Sequence, residues 1–594
     1  MKRKPLRPIS EVLFVRKKGQ NPNIVEKENI RQRHLRMERF ERIRSESRLL
    51  VLVGFLVVSF IGIGLKMGLT SLTTPIEPVA SSQLLKAPTK RADILDRNGS
   101  ILATNLITNA LYAKPKMMID KNFAAKELSK IFPGLKYDKL LQQFKGDRNF
   151  VWIKRKISPE QMQLVHELGE PGLKFGPREM RLYPNGRLAS HVLGGVSFGK
   201  EGVKSAELVG IAGIELKFDK FLQDNMGTGA PLILSLDLGI QSAIEHVLSG
   251  GVKLMNAKGA TAVLMDIHSG EIISMVSLPD FDPNDRILTG KGKSGSESPL
   301  FNKSVQGIYE LGSVFKVFTA AAVLEEGLVT PGTLVDTTSP IWWGKHKISN
   351  HNRLPNELTV TDVIVESSNT GTSRLAIELG ATHQKEFLKN LGFFNSTGIE
   401  LIEGKYITSK YPKNWSEIST MTISYGHGIS SSPLHVASAF ATLLNGGTRV
   451  RPTLLKGNVQ SDRGDRVIST GVSDELVKIL HQVVDRGTAS AANVYGYSVA
   501  GKTGTANKVK PNGGYYEKRN ITTFSSVFPV ENPKYVLLVT LDEPNILTGS
   551  KSRRTAGWTA APIASEIIYR VAPILGIRPK FQTDEDDDLL LVRN

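Results

Sequence analysis

Between Leu49 and Leu65 the chain reads LLVLVGFLVVSFIGIGL, with no charge in the run. About 17–25 such residues cross the hydrocarbon core as a helix, which satisfies its own backbone polar groups there. The pattern predicts one transmembrane helix over 49–67. Pro75, Pro78, Ser81, Ser82 and Pro88 then mark a polar linker. Ile94-Leu95 and Ile101-Leu102-Ala103 flank Asp96-Arg97-Asn98-Gly99, and apolar runs around Asn-Gly predict a hairpin. Residues 120–170 carry helical patterns, and a second Asn-Gly falls at Asn185-Gly186. Residues 68–230 therefore read as a mixed α/β module. From 231 the pattern changes: PLILSLDLGIQSAIEHVL predicts a strand and then a helix. ATAVLMDIHSGEIISMVSL and TTFSSVFPVENPKYVLLVTL predict hairpins, turning at Asp266–Gly270 and Glu531-Asn532-Pro533. Strands at both ends of a largely helical stretch predict an α+β domain, an antiparallel sheet flanked by helices, over 231–578. The last segment, 579–594, contains TDEDDD and reads as an acidic flexible tail.

Charge adds a direction to this plan. The formal charge is +19, and residues 1–48 hold fifteen Lys and Arg against six Glu, about half of the excess. A basic arm on the N-terminal side of an apolar run places that arm (1–48) in the cytoplasm and everything after about residue 68 outside. A cleaved signal peptide is the alternative, but the arm is longer than an n-region and the run longer than an h-region. The rest of the positive charge is spread through a large body without a basic-aromatic motif, which argues against nucleic acid. With no cysteine, disulfides, thiolate metal sites and a cysteine nucleophile are excluded. The 11 histidines include no metalloprotease spacing, and His346 and His351 read as loop residues. No Walker loop is present. The sequence calls for no metal and no cofactor.

Three short constellations carry possible chemistry. In Ser313-Val314-Phe315-Lys316, followed by VFTAAAVLEEG, a helix is expected from near Ser313 to Gly327. Residues i and i+3 share a helix face, so Ser313 and Lys316 can meet. A serine hydroxyl becomes a nucleophile when a base takes its proton. Lysine can be that base if burial, a neighbouring cation or a helix N-terminus lowers its pKa. About three Ser-x-x-Lys matches are expected by chance in such a chain, so the motif alone reads as a capped helix with a solvated lysine. Ser367-Ser368-Asn369 follows the probable helix TVTDVIVE and offers a hydroxyl and an amide, or an ordinary loop. Lys502-Thr503-Gly504-Thr505 follows YSVAG at the start of a predicted strand. Gly504 allows close backbone approach, and Lys502 supplies a second cation that could hold a carboxylate and depress Lys316.

Together, in this order, with 54 residues from Ser313 to Ser367 and 133 from Asn369 to Lys502, the three constellations resemble those of penicillin-binding proteins and serine β-lactamases. Tyr309-Glu310-Leu311-Gly312 resembles the Tyr-Glu-Pro-Gly lead-in of class B penicillin-binding proteins. Ser277–Asn284 resembles their Ser-x-Pro-x-Phe-Asp-Pro-Asn segment. Residues 91–99 are similar to Arg-Gly-x-Ile-x-Asp-Arg-Asn-Gly, Gly210–Glu215 (GIAGIE) to the pedestal motif, and Tyr425-Gly426-His427-Gly428 to Tyr-Gly-x-Gly. The departures are Leu311 for Pro, Val314 for Thr and Ala92 for Gly; none removes a reacting group. The resemblance runs from the anchor to about residue 575 and is greatest to the division-specific, septal members.

The resemblance implies a transpeptidase fold behind a periplasmic, non-catalytic pedestal at 68–230. It implies a peptidoglycan D,D-transpeptidase that cross-links stem peptides during septal synthesis and is acylated by β-lactams. Ser313 would attack a stem peptide ending in D-alanyl-D-alanine, with Lys316 as base. Ser367 would relay a proton and Asn369 hold the acyl-side amide. Lys502, Thr503 and Thr505 would engage the terminal carboxylate, and the backbone N–H groups of Ser313 and Thr505 would form the oxyanion hole. The partners implied are a polytopic membrane glycosyltransferase and other division proteins. The location implied is the inner membrane, single-pass. Elongation-type transpeptidases, D,D-carboxypeptidases and β-lactamases share the motifs, and a non-catalytic division scaffold is a further alternative.

Overall fold

The computed structural model describes residues 8–72, 91–145, 148–201, 206–224, 230–286, 295–457, 464–510, 512–548 and 551–580. The linker at 73–90 and the acidic tail from 581 onward lie outside the described residues. The chain divides into two compact units, Met1–Ala87 and Pro88–Asn594.

In the first unit, helix Pro8–Lys17 precedes one long helix, Pro22–Leu72. The Asn21 side chain accepts the Asn23 N–H at the start of the long helix. Pro22 sits where a missing N–H costs nothing. The sequence pattern had placed a helix only at 49–67; the basic arm continues the same helix. Among the described residues no helix is long and apolar enough to cross a membrane. In this helix the side chains of 38–51 and 69–72 lie outside the described set.

The second unit is built on a five-stranded antiparallel sheet. Its order is Ala500–Val509, Tyr515–Phe528, Tyr535–Asp542, Gly259–Asp266, Ile272–Leu278. Both predicted hairpins are present, and they meet where Tyr535–Asp542 pairs with Gly259–Asp266. Tyr535–Asp542 is buried along its whole length and Ile272–Leu278 likewise, because helices cover both faces. Leu238–Leu254 and Ala560–Ile574 pack on one side. Lys316–Glu325, Pro433–Leu444 and Thr470–Asp485 form the helical body on the other. A sheet buried on both faces reads as continuous apolar runs, which is how these segments look in sequence. Three of these helices start at polar caps: Asp237 accepts the Ile240 N–H, Ser432 that of His435 and Ser469 that of Val472.

The hairpin Ile94–Leu95 and Ile101–Ala113 forms as expected. Ile94–Leu95 also pairs in parallel with Leu232–Ile233, so one small sheet runs past residue 230. Arg91 and Glu215, far apart in sequence, meet in the buried heart of this region. Glu215 accepts from Arg91 Nε at 2.7 Å and from Arg181 Nε at 2.6 Å, and Arg91 Nη1 reaches Asp219 at 2.7 Å. A Cβ on Gly210 would lie 2.1 Å from the Glu215 carbonyl oxygen, so the GIAGIE turn requires glycine there. Contacts that tie this part to the sheet domain include Arg97 to Glu271 at 2.7 Å, the Leu238 N–H to Asp96 at 3.1 Å, and paired bonds between Asn284 and the Tyr183 backbone.

Candidate active site

Chain geometry at one sheet edge builds the cleft. Ala500–Val509 pairs with Tyr515–Phe528 on one side, and its other side faces the turn that carries Ser313. That turn, Gly312–Phe315, is a 3-10 segment leading into helix Lys316–Glu325. The expected helix thus begins with a tighter turn, and Gly327, in the left-handed region at φ +65°, ends it. The strand and the turn touch backbone to backbone. A Cβ on Gly504 would lie 2.1 Å from the Leu311 carbonyl oxygen, and one on Gly312 would lie 2.7 Å from that of Thr505. Gly426 closes against the Gly312 carbonyl from the third side, at 2.2 Å for the same construction. Three glycines from three motifs therefore stack in one place. A side chain at any of them would push the elements apart.

The third wall is the segment between helices Val360–Val365 and Asn369–Leu379. Ser368 caps the second helix by accepting the Gly371 N–H. Asn350 accepts the N–H groups of Asn369 and Thr370 at 2.8 and 3.1 Å. Ser367 stands just before this helix at φ +59°, a left-handed conformation that costs a non-glycine residue of order 1–3 kcal/mol. That conformation turns both its carbonyl and its hydroxyl toward the lysines. Lys316 Nζ donates to the Ser367 carbonyl at 2.5 Å and to Ser367 Oγ at 3.0 Å. Lys502 Nζ donates to the same Oγ at 3.0 Å.

Both lysines are fully buried, and no carboxylate pairs with either among the described salt bridges. Burial pulls the Lys502 pKa down to about 7. Burial, and then the Lys502 charge, hold Lys316 well below the usual lysine range. Water stabilises an ammonium and a dry cavity does not, so the neutral amine gains ground. In that neutral form Lys316 can accept a proton.

The cleft above them has a volume of about 690 Å³ and is lined by Ser313, Ser367, Asn369, Thr503 and Thr505. All eight residues singled out from sequence gather here: five line the cleft, Lys316 and Lys502 bond the hydroxyl of Ser367 in its wall, and Gly504 permits the close approach of the strand to the Leu311 carbonyl. Ser313 is half-buried. In this geometry the hydrogen bonds of Lys316 Nζ go to Ser367 rather than to Ser313. Thr505 Oγ1 accepts the Ala556 N–H at 2.9 Å, and Asn369 Nδ2 donates to the Ser349 carbonyl at 2.9 Å.

The structure adds residues that sequence reasoning passed over. Thr488 lines the cleft and its hydroxyl lies 3.0 Å from that of Thr503. Arg553, Arg554 and Trp558 close the far end. Glu310, quoted only as lead-in, accepts from the Gly428 N–H at 2.9 Å and from the Tyr515 hydroxyl at 3.0 Å. It thereby clamps the Tyr425–Gly428 turn and the Tyr515–Phe528 strand to the Ser313 turn. Burial raises its pKa, and those two hydrogen bonds oppose the rise. His351 is indeed a loop residue, but it lines the cleft. His346 corrects the sequence reading: it lies in the short strand His346–Ile348, paired with Ile341–Trp343. Tertiary pairing alone decides so short a strand.

Comparison with known proteins fits this geometry. Residues 260–569 match the model of the penicillin binding protein transpeptidase domain, and residues 86–229 that of the penicillin-binding protein dimerisation domain. The chain is 32% identical to the probable peptidoglycan D,D-transpeptidase FtsI of Caulobacter vibrioides, over 91% of this chain and 92% of that protein. It is 30% identical to the probable peptidoglycan D,D-transpeptidase PenA of Neisseria meningitidis, over 83% of this chain and 86% of that one. In fold it is similar to penicillin binding protein 3 of Mycobacterium tuberculosis, solved with aztreonam. That match has a TM-score of 0.63 and 24% identity and covers 83% of this chain and 98% of that one.

Proposed function

Since the chain belongs to the class B penicillin-binding protein family, as a peptidoglycan D,D-transpeptidase of the FtsI type, we propose that Ser313 is its acyl-forming nucleophile in septal wall synthesis. One observation carries the assignment: two buried lysines converge on the hydroxyl of Ser367, which lines the same cleft as Ser313. A donor stem peptide lies along Lys502–Thr505 as an added strand, a common mode of peptide recognition at sheet edges. Lys502, Thr503 and Thr505 hold its terminal carboxylate, and Asn369 holds the amide on the acyl side. Lys316 takes the Ser313 proton as Oγ attacks the penultimate carbonyl. The backbone N–H groups of Ser313 and Thr505 receive the oxyanion, an interaction worth about 2.7–4 kcal/mol per donor. Ser367, bonded to both lysines, passes a proton to the departing D-alanine. An amine from a second stem peptide then takes the acyl group. A β-lactam imitates the donor and stays on Ser313.

The domain plan follows the sequence boundaries: arm 1–48, anchor 49–67, pedestal 68–230, transpeptidase domain 231–578, tail 579–594. The uncharged run Leu49–Leu65 and the basic arm support a single-pass inner-membrane protein with its body in the periplasm. The pedestal carries no glycosyltransferase motif, so glycan polymerisation belongs to a polytopic membrane partner. Gly54, Gly62 and Gly64 offer it a close-packing helix face. The deciding experiment is labelling of the membrane-embedded chain with fluorescent penicillin. The unaltered protein labels and Ser313→Ala does not; equal labelling of both would remove Ser313 from its role. Cross-linked product from peptidoglycan precursors, rather than free D-alanine alone, separates transpeptidase from carboxypeptidase.

A further inference from the structure

Acyl transfer has two halves, and they make different demands on the site. In the first, a neutral hydroxyl loses a proton to Lys316. In the second, the acceptor is a basic amine that arrives from water as an ammonium ion, which cannot attack a carbonyl until a base takes one proton. Lys316 and Lys502 both bond Ser367, and Lys316 already serves the Ser313 oxygen. A separate base for the ammonium can come from another wall of the cleft.

His427 occupies that wall. It stands at the variable position of the Tyr425–Gly428 turn and lines the same cleft as Ser313 and Thr505. Its ring is held by Tyr425 at 5.2 Å and Tyr515 at 5.8 Å between centroids. Its backbone N–H donates to the Thr422 carbonyl at 3.0 Å. Nδ1 is buried and makes no hydrogen bond among the described residues, which leaves Nε2 as the ring nitrogen to meet a molecule in the cleft. The Tyr425 carbonyl lies close enough to the ring to favour its protonated form, opposing the effect of burial. The charged or titratable groups acting on the ring are Lys316 from its helix and Tyr515 and Tyr425 on either side, with Glu310 behind Tyr515, bonded to its hydroxyl. Burial and then the Lys316 charge keep the imidazole below its ordinary pKa, hence neutral at neutral pH. An imidazole set between two tyrosines in the wall of the cleft that Ser313 also lines fits a general base.

We propose that His427 is a catalytic residue of the second half-reaction, accepting the proton of the incoming acceptor ammonium through Nε2. This rests on the reading of Ser313 as the acylated residue. The acceptor ammonium gives one proton to Nε2. Its nitrogen, now with a lone pair, bonds to the acyl carbon. The bond from that carbon to Ser313 Oγ breaks, and Oγ takes the second amine proton through Lys316. The product is an amide and a free serine, and the imidazolium returns its proton to water.

The test is the partition of the acyl-enzyme between amine and water, with the full-length chain in detergent and a thioester analogue of the donor. The partition is measured after acylation, so any change in acylation rate cancels. His427→Gln should shift it at least tenfold toward hydrolysis for a basic amine. Hydroxylamine, already neutral at the working pH, should restore transfer in that variant. An unchanged partition, or an equal loss with both nucleophiles, overturns the role of His427. A second measurement needs no variant. With His427 as base, transfer in the unaltered protein stays flat from the amine's own range down to the imidazole range and then falls. A tenfold fall per pH unit straight through neutrality would overturn the inference. Failure of the unaltered chain to form any acyl-enzyme would instead sink the underlying reading of Ser313.

Discussion

Adding one methyl group to Gly504 should disable the nucleophile without unfolding the sheet. A Cβ at this position would stand 2.1 Å from the Leu311 carbonyl oxygen and 2.8 Å from Val314 Cγ2, whereas ordinary contact begins at 3.4 Å. Val314 can rotate; the carbonyl belongs to the turn that holds Ser313 and cannot. The strand and the turn must therefore separate by about 1 Å, and a misplacement of that size can cost about 10²-fold in rate, roughly 2.7 kcal/mol of barrier. The separation falls between Ser313 and the strand that would seat the donor, so acylation suffers directly. The rest of the Lys502 strand keeps its pairing with Tyr515–Phe528, since Gly504 opposes Thr523 through backbone atoms. The second-order rate constant of acylation by fluorescent penicillin is the readout, with the thermal midpoint measured alongside. Gly504→Ala should lower the rate constant about a hundredfold and move the midpoint little. A rate constant within threefold of the unaltered protein would mean that the backbone contact does not set the position of Ser313.

Three further outcomes follow from other parts of the site and its support. Lys502→Met removes the cation that helps hold Lys316 down, so the Lys316 pKa rises; the amine must be neutral to accept a proton, and the acid limb of the acylation profile therefore moves to higher pH. A limb that stays in place, measured by stopped-flow across the neutral range, counts against the coupling. Ser367→Ala deletes the hydroxyl that both lysines share, and acylation should fall by about 10²–10⁴, the usual span for a proton-relay group; a loss under fivefold would confine Ser367 to a structural part. Glu215→Ala leaves Arg91 and Arg181 buried without their common carboxylate, which should destabilise the fold by about 3–5 kcal/mol. A lower thermal midpoint with unchanged acylation per folded molecule checks it.

Much of the site was legible in the chain because its chemistry sits in short, ordered motifs. Ser313, Lys316, Ser367 and Lys502 were found by type and spacing, and a Gly at 504 by the need for close approach. Less visible was how Ser367 does its part. A left-handed backbone at a serine has no sequence mark, yet it brings one carbonyl and one hydroxyl onto two lysines. Thr488 carried no signal at all, since its place beside Thr503 is made by the packing of Thr470–Asp485 on the Lys502 strand. Glu310 and His427 were quoted as motif letters, and only the fold turned the first into a clamp and the second into a group facing the cleft.

By itself the sequence determined what is local: the apolar run, the paired strands around Asn-Gly and Asp266–Gly270, the capped helices and the chemical types available. Those follow from periodicity and from backbone preferences acting over a few residues. Tertiary structure decided the rest: which glycines must stay bare, which ammonium groups lose their water, and which hydroxyl they share. Burial and backbone approach are sums over residues hundreds of positions apart, and no short window contains them.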